Sequence, residues 1–194
     1  VEHNGSNGYV EIPHDDDFLI DEGAISLWVY LDDLSGRQEL FSKDSSGYDT
    51  GGHITIYANG NDVELRFQST NTSYSLDSGD ALSATTWHHV AFTFGPAGMR
   101  LYVDGSLVDS DSYTGGMGTS SGAVGNYEPI ALGANTWQSG NLTIMSLQSY
   151  LDGRLDDVRI YDQQLSAAQV AAVFTSGAAA TSAGRRASAR SARC

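Results

Sequence analysis

His88 and His89, the aspartate-rich runs, and a set of aromatic residues between the regular segments are the parts of this chain equipped to do chemistry. Adjacent histidines can hold one ion only if both rings turn towards it. Here they stand in Trp87-His88-His89-Val90-Ala91-Phe92-Thr93-Phe94, a strand pattern that sends consecutive side chains to opposite faces, so a structural role is expected for both. Neither has a serine or cysteine at a recognisable nucleophile motif, and the one cysteine, Cys194, is the last residue. Tyr48, Tyr113, Tyr127, Trp137 and Tyr150 fall in predicted loops, where a ring is harder to explain as core. Rings in such places serve as platforms for sugars, or are buried when long loops fold over a sheet.

The elements that must position these residues are read from hydrophobic alternation. In the stretch from Trp87 to Phe94, Val90, Phe92 and Phe94 share one side. Leu101 and Val103 repeat the pattern before the tight-turn pair Asp104-Gly105. Tyr9-Val10-Glu11-Ile12 predicts a short strand. Ile25, Leu27, Val29 and Leu31 line one face of another whose second face carries Trp28 and Tyr30, as suits an inner strand. Glu39 to Ser42 predicts a brief strand, and His53 to Tyr57 turns through Asn59-Gly60-Asn61-Asp62 and returns as Val63 to Phe67, the clearest hairpin in the sequence. A further edge strand is expected within Ser69 to Ser78, and more strands at Pro129 to Gly133 and Leu151 to Tyr161. The period then becomes helical from Leu165 to Phe174, with Ser166 as N-cap. Three loops remain, 44–52, 109–128 and 134–150, and the middle one is expected to lie on the surface.

Composition narrows the function classes. The formal net charge is −14, from 24 acidic and 10 basic residues; 18 of the acids are aspartate, and Lys43 is the only lysine. Aspartate suits turns, and scarce lysine fits either a high-GC genome or a surface adapted to high salt. Phosphate backbones require clustered Lys or Arg, so nucleic acid is not an expected partner. No apolar run approaches the ~20 residues needed to span a bilayer, so no membrane insertion is expected. The chain begins with Val1 and carries no leader pattern, which suggests a mature or excised product. Beyond Gly177 the composition shifts to Ala, Ser, Thr and Arg. The expected organisation is one domain over 1–175 and a basic tail over 176–194, disordered or an artefact.

Six segments in order resemble the laminin-G-like, concanavalin A-like jelly-roll family: Gly8 to Pro13, Ile25 to Val29, Trp87 to Ala91, Leu101 to Gly105, Ile130 to Gly133, and Leu151 to Tyr161 leading into Leu165-Ser166. The resemblance implies an all-β fold, a two-sheet antiparallel jelly-roll sandwich with one short C-terminal helix. It leaves the function open, since the fold hosts lectins, adhesion modules and hydrolases. Hydrolases of this fold alternate acids along one strand as Glu-x-Asp-x-x-Glu, whereas Glu11, Glu39, Glu64 and Glu128 stand isolated, so no enzyme is expected.

The resemblance also implies calcium. Its ligands would be hard oxygens from Asn4 and Asn7 in the first loop and from Asp156 or Asp157 in the last strand, because first and last strands commonly pair. An alternative gives that aspartate pair to Arg154 or Arg159. A second rim would group Asp44, Asp49 and Asn135, although Ala134-Asn135-Thr136-Trp137 replaces the acidic run of pentraxin-like relatives. The expected function is a non-catalytic extracellular or cell-surface recognition module. It would bind carbohydrate or a glycoprotein through Tyr48, Asp49, Tyr113, Tyr127, Asn135, Trp137 and Tyr150, with calcium structural or bridging. The alternative is a protein-protein adhesion or assembly domain that contacts other copies of itself or a larger surface structure or filament.

Overall fold

The computed structural model describes residues 1–45, 51–122, 124–136 and 147–181. In chain order the elements are β1 (Glu2–Asn4), β2 (Val10–Ile12), β3 (Gly23–Leu31), β4 (Arg37–Lys43), β5 (His53–Asn59), β6 (Asp62–Gln68) and β7 (Ser73–Asp77). There follow β8 (Trp87–Phe94), β9 (Met99–Val103), β10 (Ser106–Asp111), β11 (Ile130–Leu132), β12 (Asp152–Tyr161) and α1 (Ala167–Thr181). Two six-stranded antiparallel sheets result, ordered β1-β12-β3-β8-β9-β10 and β2-β11-β4-β5-β6-β7. The all-β sandwich expected from the sequence is the fold observed.

Alternation decides which side of each sheet is dry. Along the β5–β6 hairpin Ile54 pairs with Phe67, Ile56 with Leu65 and Ala58 with Val63, and all six are buried between the sheets. From the other sheet, Val90 opposes Val103 and Phe92 opposes Leu101. Phe67 meets Phe92 and Phe94 edge-on at 5.7 and 5.5 Å, a geometry that puts ring edges on ring faces. The intervening residues Thr55, Tyr57, Glu64 and Arg66 therefore face away from the core, because side chains on a strand alternate with period two.

The outer face of the first sheet is covered by α1. Ser166 caps the helix as expected: its backbone N–H donates to Gln169 Oε1 at 2.9 Å, and Gln169 N–H donates to Ser166 Oγ at 3.4 Å, a reciprocal box. Leu165, Val170 and Val173 pack on Ala24, Ala91 and Tyr102, while Phe174 stacks on Trp28 at 5.7 Å and lies 5.9 Å from His89. The helix continues to Thr181, past the predicted end at Phe174. Alanine favours helix strongly, and Gly177 is buried where a Cβ would run into the Trp28 indole, so the helix can rest there because that position lacks a side chain. Residues 182–194, with their four arginines, lie outside the described residues.

The stretch 109–128 departs from its expectation as a surface loop. Its first residues continue β10 to Asp111, and Gly115 to Gly118 are buried with Met117 fully enclosed in the core. Met117 N–H donates to Ile20 O at 2.8 Å, and Ser120 N–H donates to Asp21 Oδ1 at 2.8 Å. The glycines explain the inversion: a Cβ on Gly116 would collide with the Asp21 backbone and one on Gly118 with the Asp21 carboxylate, so this run can lie flat against residues 20 and 21 only because those two positions lack side chains.

Candidate functional site

With the first sheet covered by α1, the polar outer face of β4, β5 and β6 in the second sheet is where functional side chains converge. Arg37 and Glu39 lie two apart on β4 and so share a face; Arg37 donates from Nε and Nη2 to Glu39 Oε2 at 3.2 and 2.9 Å. The Arg37 guanidinium also sits 3.6 Å over the ring of Tyr57, whose hydroxyl donates to Glu64 Oε2 at 2.6 Å. Asn135 Nδ2 donates to the same Glu39 oxygen at 3.1 Å, and its backbone bridges Gln148 at 2.8 Å. Arg66, on the next strand but one, donates from Nη2 to Asp44 Oδ2, and His53 Nδ1 lies 3.7 Å from Asp44 Oδ1. Arg37, Asp44, Arg66, Asn135 and Gln148 line a cavity of about 320 Å³. A second depression of similar size, about 320 Å³, shares Arg37 and adds Asp33, Gln38, Ser149, Tyr150 and Asp152.

The two ion pairs are layered. The Glu39 and Asp44 side chains are fully covered, whereas those of Arg37 and Arg66 are 37% and 25% exposed. Burial pushes the Glu39 carboxyl up to about 7, against the opposing pull of Arg37. Asp44 is raised to about 6 by the same cause, with Arg66 opposing. Glu39 Oε1 has no hydrogen-bond partner among the described residues. The arrangement presents cationic and amide donors to the cavity beside the Asp44 carboxylate, with Glu39 held behind Arg37.

The nominated residues fare differently. Asn135 and Tyr150 reach this face. Asp44 does too, as the buried counter-ion of Arg66 rather than as a rim ligand. Tyr113 is drawn into the sandwich edge, stacked on Tyr74 at 3.9 Å and edge-on to Phe67 at 6.0 Å, and burial raises its hydroxyl to about 12. Tyr127 is half-buried against His14 at 5.0 Å. Tyr48, Asp49 and Trp137 lie outside the described residues.

The residues nominated for calcium do not come together. β1 does pair with β12, but Asn4 stands opposite Asp152, four residues or about 13 Å along the strand from Asp156. Asn4 Oδ1 already accepts from the N–H groups of Ser6, Asn7 and Gly8 at 3.1, 3.0 and 3.0 Å, and its Nδ2 donates to Asn7 Oδ1 at 2.7 Å. Asp157 sits at a register shift with φ +50°, gripped by Arg159 through Nε and Nη2 at 2.9 and 2.8 Å. Asp156 Oδ1 accepts the Asp157 N–H at 2.9 Å. Asn4 Oδ1, Asp156 Oδ1 and the Asp157 carboxylate are thus engaged by protein donors, and Asn4 and Asp156 stand apart in the register. No cluster of three His, Cys, Asp or Glu occurs among the described residues.

The histidines separate as expected. His89 is buried between Trp28 and Phe174, and burial lowers it to about 4. His88 joins Ser83 Oγ at 2.9 Å to Asp104 Oδ2 at 2.8 Å, an array that sequence reading missed because Ser83 belongs to a different segment. The Ser83 backbone N–H donates to the same His88 Nε2 at 3.1 Å, so one nitrogen gathers both donors of one residue and holds the turn before β8. Sequence reading also passed over Arg37, Tyr57 and Arg66. Their signal was present in the outward positions of the β5–β6 hairpin and in the i, i+2 spacing of Arg37 and Glu39.

A family model described as the concanavalin A-like lectin/glucanases superfamily matches residues 4–171. No curated protein matches the chain. Among solved structures, the CBM40 domain of Ruminococcus gnavus IT-sialidase bound to α2,3-sialyllactose is similar with a TM-score of 0.61 and 15% identity, over 87% of this chain and 96% of that one. Domain 4 of AbnA, a GH43 extracellular arabinanase from Geobacillus stearothermophilus, in complex with arabinotriose, gives 0.64 and 21% over 88% and 74%. The binding domain of botulinum neurotoxin serotype G gives 0.63 and 16% over 91% of this chain and 42% of that one. At these identities the likeness is one of fold.

Proposed function

The chain belongs to the concanavalin A-like lectin/glucanases superfamily, and from that premise we propose that it is a non-catalytic carbohydrate-binding module with its glycan site on the outer face of β4, β5 and β6. The observation that carries this reading is the cavity where Arg37, Arg66, Asn135 and Gln148 converge on one side of a rigid sheet, with Tyr150 in the adjoining depression. Sugar hydroxyls are bound by planar polar groups held in place beforehand. Arg37 is held by Glu39 and Tyr57, Arg66 by Asp44, and Asn135 by Glu39. Fold neighbours solved with sialyllactose and arabinotriose support a carbohydrate ligand, and the second of them is a domain of an extracellular arabinanase, which supports an extracellular location. No described helix is long and apolar enough to cross a membrane.

Glu39 and Asp44 are two carboxyl groups on one face, which is the raw material of glycoside hydrolysis. Each is instead held behind an arginine with its side chain fully covered, so their role in this reading is to orient guanidinium groups. The reading needs no calcium. A glycan array probed with the full chain, with and without EDTA, tests it: binding unaffected by EDTA and abolished in Asn135→Ala is expected. An array blank under both conditions overturns it.

A protein-protein adhesion role is the second reading, favoured by the edge strand β10, where Leu107 is 53% and Val108 36% exposed. Concentration-dependent self-association by sedimentation, lost in Leu107→Lys, would support that reading over the first.

A further inference from the structure

Resting on the carbohydrate reading, we infer that the preferred ligand carries a carboxylate, received between Arg37 and Arg66. The chain has few cations to place. Outside the tail it holds six basic residues against 24 acids, and one of the six, Lys43, is fully buried. Two of the remaining five line a single cavity. Arg37 commits Nε and Nη2 to Glu39, and Arg66 commits Nη2 to Asp44. Arg37 Nη1 and Arg66 Nε and Nη1 have no partner among the described residues, and both guanidinium groups belong to partly exposed side chains. A guanidinium matches a carboxylate as a planar fork, which an ammonium does not.

Stability does not account for the pairs. Replacing a buried ion pair by apolar residues of similar volume is often neutral or stabilising. Two such pairs side by side, both opening their cationic ends to one cavity, are better explained by what the cavity receives. The buried acids prevent the arginines from turning away, and the Tyr57 ring beneath Arg37 fixes the plane of its fork. Gln148 on the same wall supplies an amide group for a hydroxyl of the same sugar. The groups that set the charge of this face are Arg37 and Glu39 on β4, Asp44 just after it, His53 and Tyr57 on β5, and Glu64 and Arg66 on β6.

The test is calorimetric titration of the full chain with an oligogalacturonate, its methyl ester, and a sulfated neutral oligosaccharide of equal length. The expected result is at least a ~10-fold tighter Kd for the acid than for the ester, as loss of one charge-assisted hydrogen-bonded pair implies. Arg37→Gln and Arg66→Gln should each remove that preference, bringing the Kd values for acid and ester to within about 2-fold of each other. Equal affinity for acid and ester overturns the carboxylate inference and leaves the carbohydrate reading standing. Sulfated sugar bound as tightly as the acid also overturns it. If the chain binds no sugar here or on the array, both fail. The acid-against-ester comparison uses the unaltered chain, so it decides the matter even where an arginine variant does not fold.

Discussion

Arg37 and Tyr57 form a fixed stack, the guanidinium carbon 3.6 Å above the ring centre, and the edge of that same guanidinium holds Glu39 Oε2. One arginine thus satisfies a buried acid below, lies on an aromatic face from the neighbouring strand, and keeps a nitrogen for the cavity. The arrangement joins the strand pairing of β4 with β5 to the electrostatics of the site, because Glu39 is the register partner of Tyr57.

Removing Arg37 leaves Glu39 fully buried without its cation. Because Arg37 is itself 37% exposed and the Glu39 carboxyl is raised to about 7, Arg37→Ala is expected to destabilise the fold by about 1–3 kcal/mol at pH 8, where the buried acid is ionised and has lost its charged donor. Arg37→Ala combined with Glu39→Leu should recover most of it. Urea unfolding of both variants checks this; equal stability of the single and double variants contradicts the buried-pair account.

Glu39 should make stability depend on pH in a definite direction. Its carboxyl is raised from 4.5 to about 7, so the folded state binds the extra proton in that window and stability falls as pH rises through it. Relative to the unaltered chain, Glu39→Gln should therefore gain about 3 kcal/mol between pH 4.5 and pH 7.5. Asp44, raised to about 6, adds a loss of the same sign, and His89, lowered to about 4, opposes both below pH 6.5. The comparison with Glu39→Gln isolates the one group: a pH-independent difference in denaturation midpoints would refute its assignment.

Lys43 carries the opposite signature. Its ammonium is buried, donates to Asn126 O at 2.8 Å and also to Glu128 O, and lies 3.2 Å from His14 Nδ1; burial lowers it to about 7. The unfolded chain binds more protons between pH 7 and 10.5, so stability should rise with pH there. Lys43→Met should lose that rise, of order 4 kcal/mol, and should loosen the segment at 126–128. Thermal melts at pH 7 and pH 9.5 measure it. A parallel pH dependence in the two proteins would place the titration elsewhere.

The helix is attached through a gap the size of a hydrogen atom. Gly177→Val puts side-chain atoms into the Trp28 indole and should cost about 1–3 kcal/mol by overpacking, with a change in Trp fluorescence. Gly177→Ala should do less, since helix propensity returns about 1 kcal/mol. Unchanged fluorescence and melting in the valine variant would mean that α1 does not rest on this face.

Much of the architecture was legible in the sequence, because strands write their burial as alternation. The hairpin from His53 to Phe67, the meander from Trp87 to Val103, and the Ser166 cap are local patterns whose meaning does not depend on distant residues. The site was not local. Glu39 looked isolated because its partners include Tyr57, reached by strand pairing, and Asn135, reached across 96 residues. The loop 109–128 read as surface because glycines carry no hydrophobic signal, yet the missing side chains at Gly116 and Gly118 are what let that run pack against residues 20 and 21. Expecting Asn4 beside Asp156 required the right strand pair and also the right register, and only the second failed. The sequence by itself determined most of the strands, their dry faces and the scarcity of cations. The tertiary structure alone decided register, and with it which of those few cations stand together over buried acids, because proximity between strands is fixed by pairing and not by spacing along the chain.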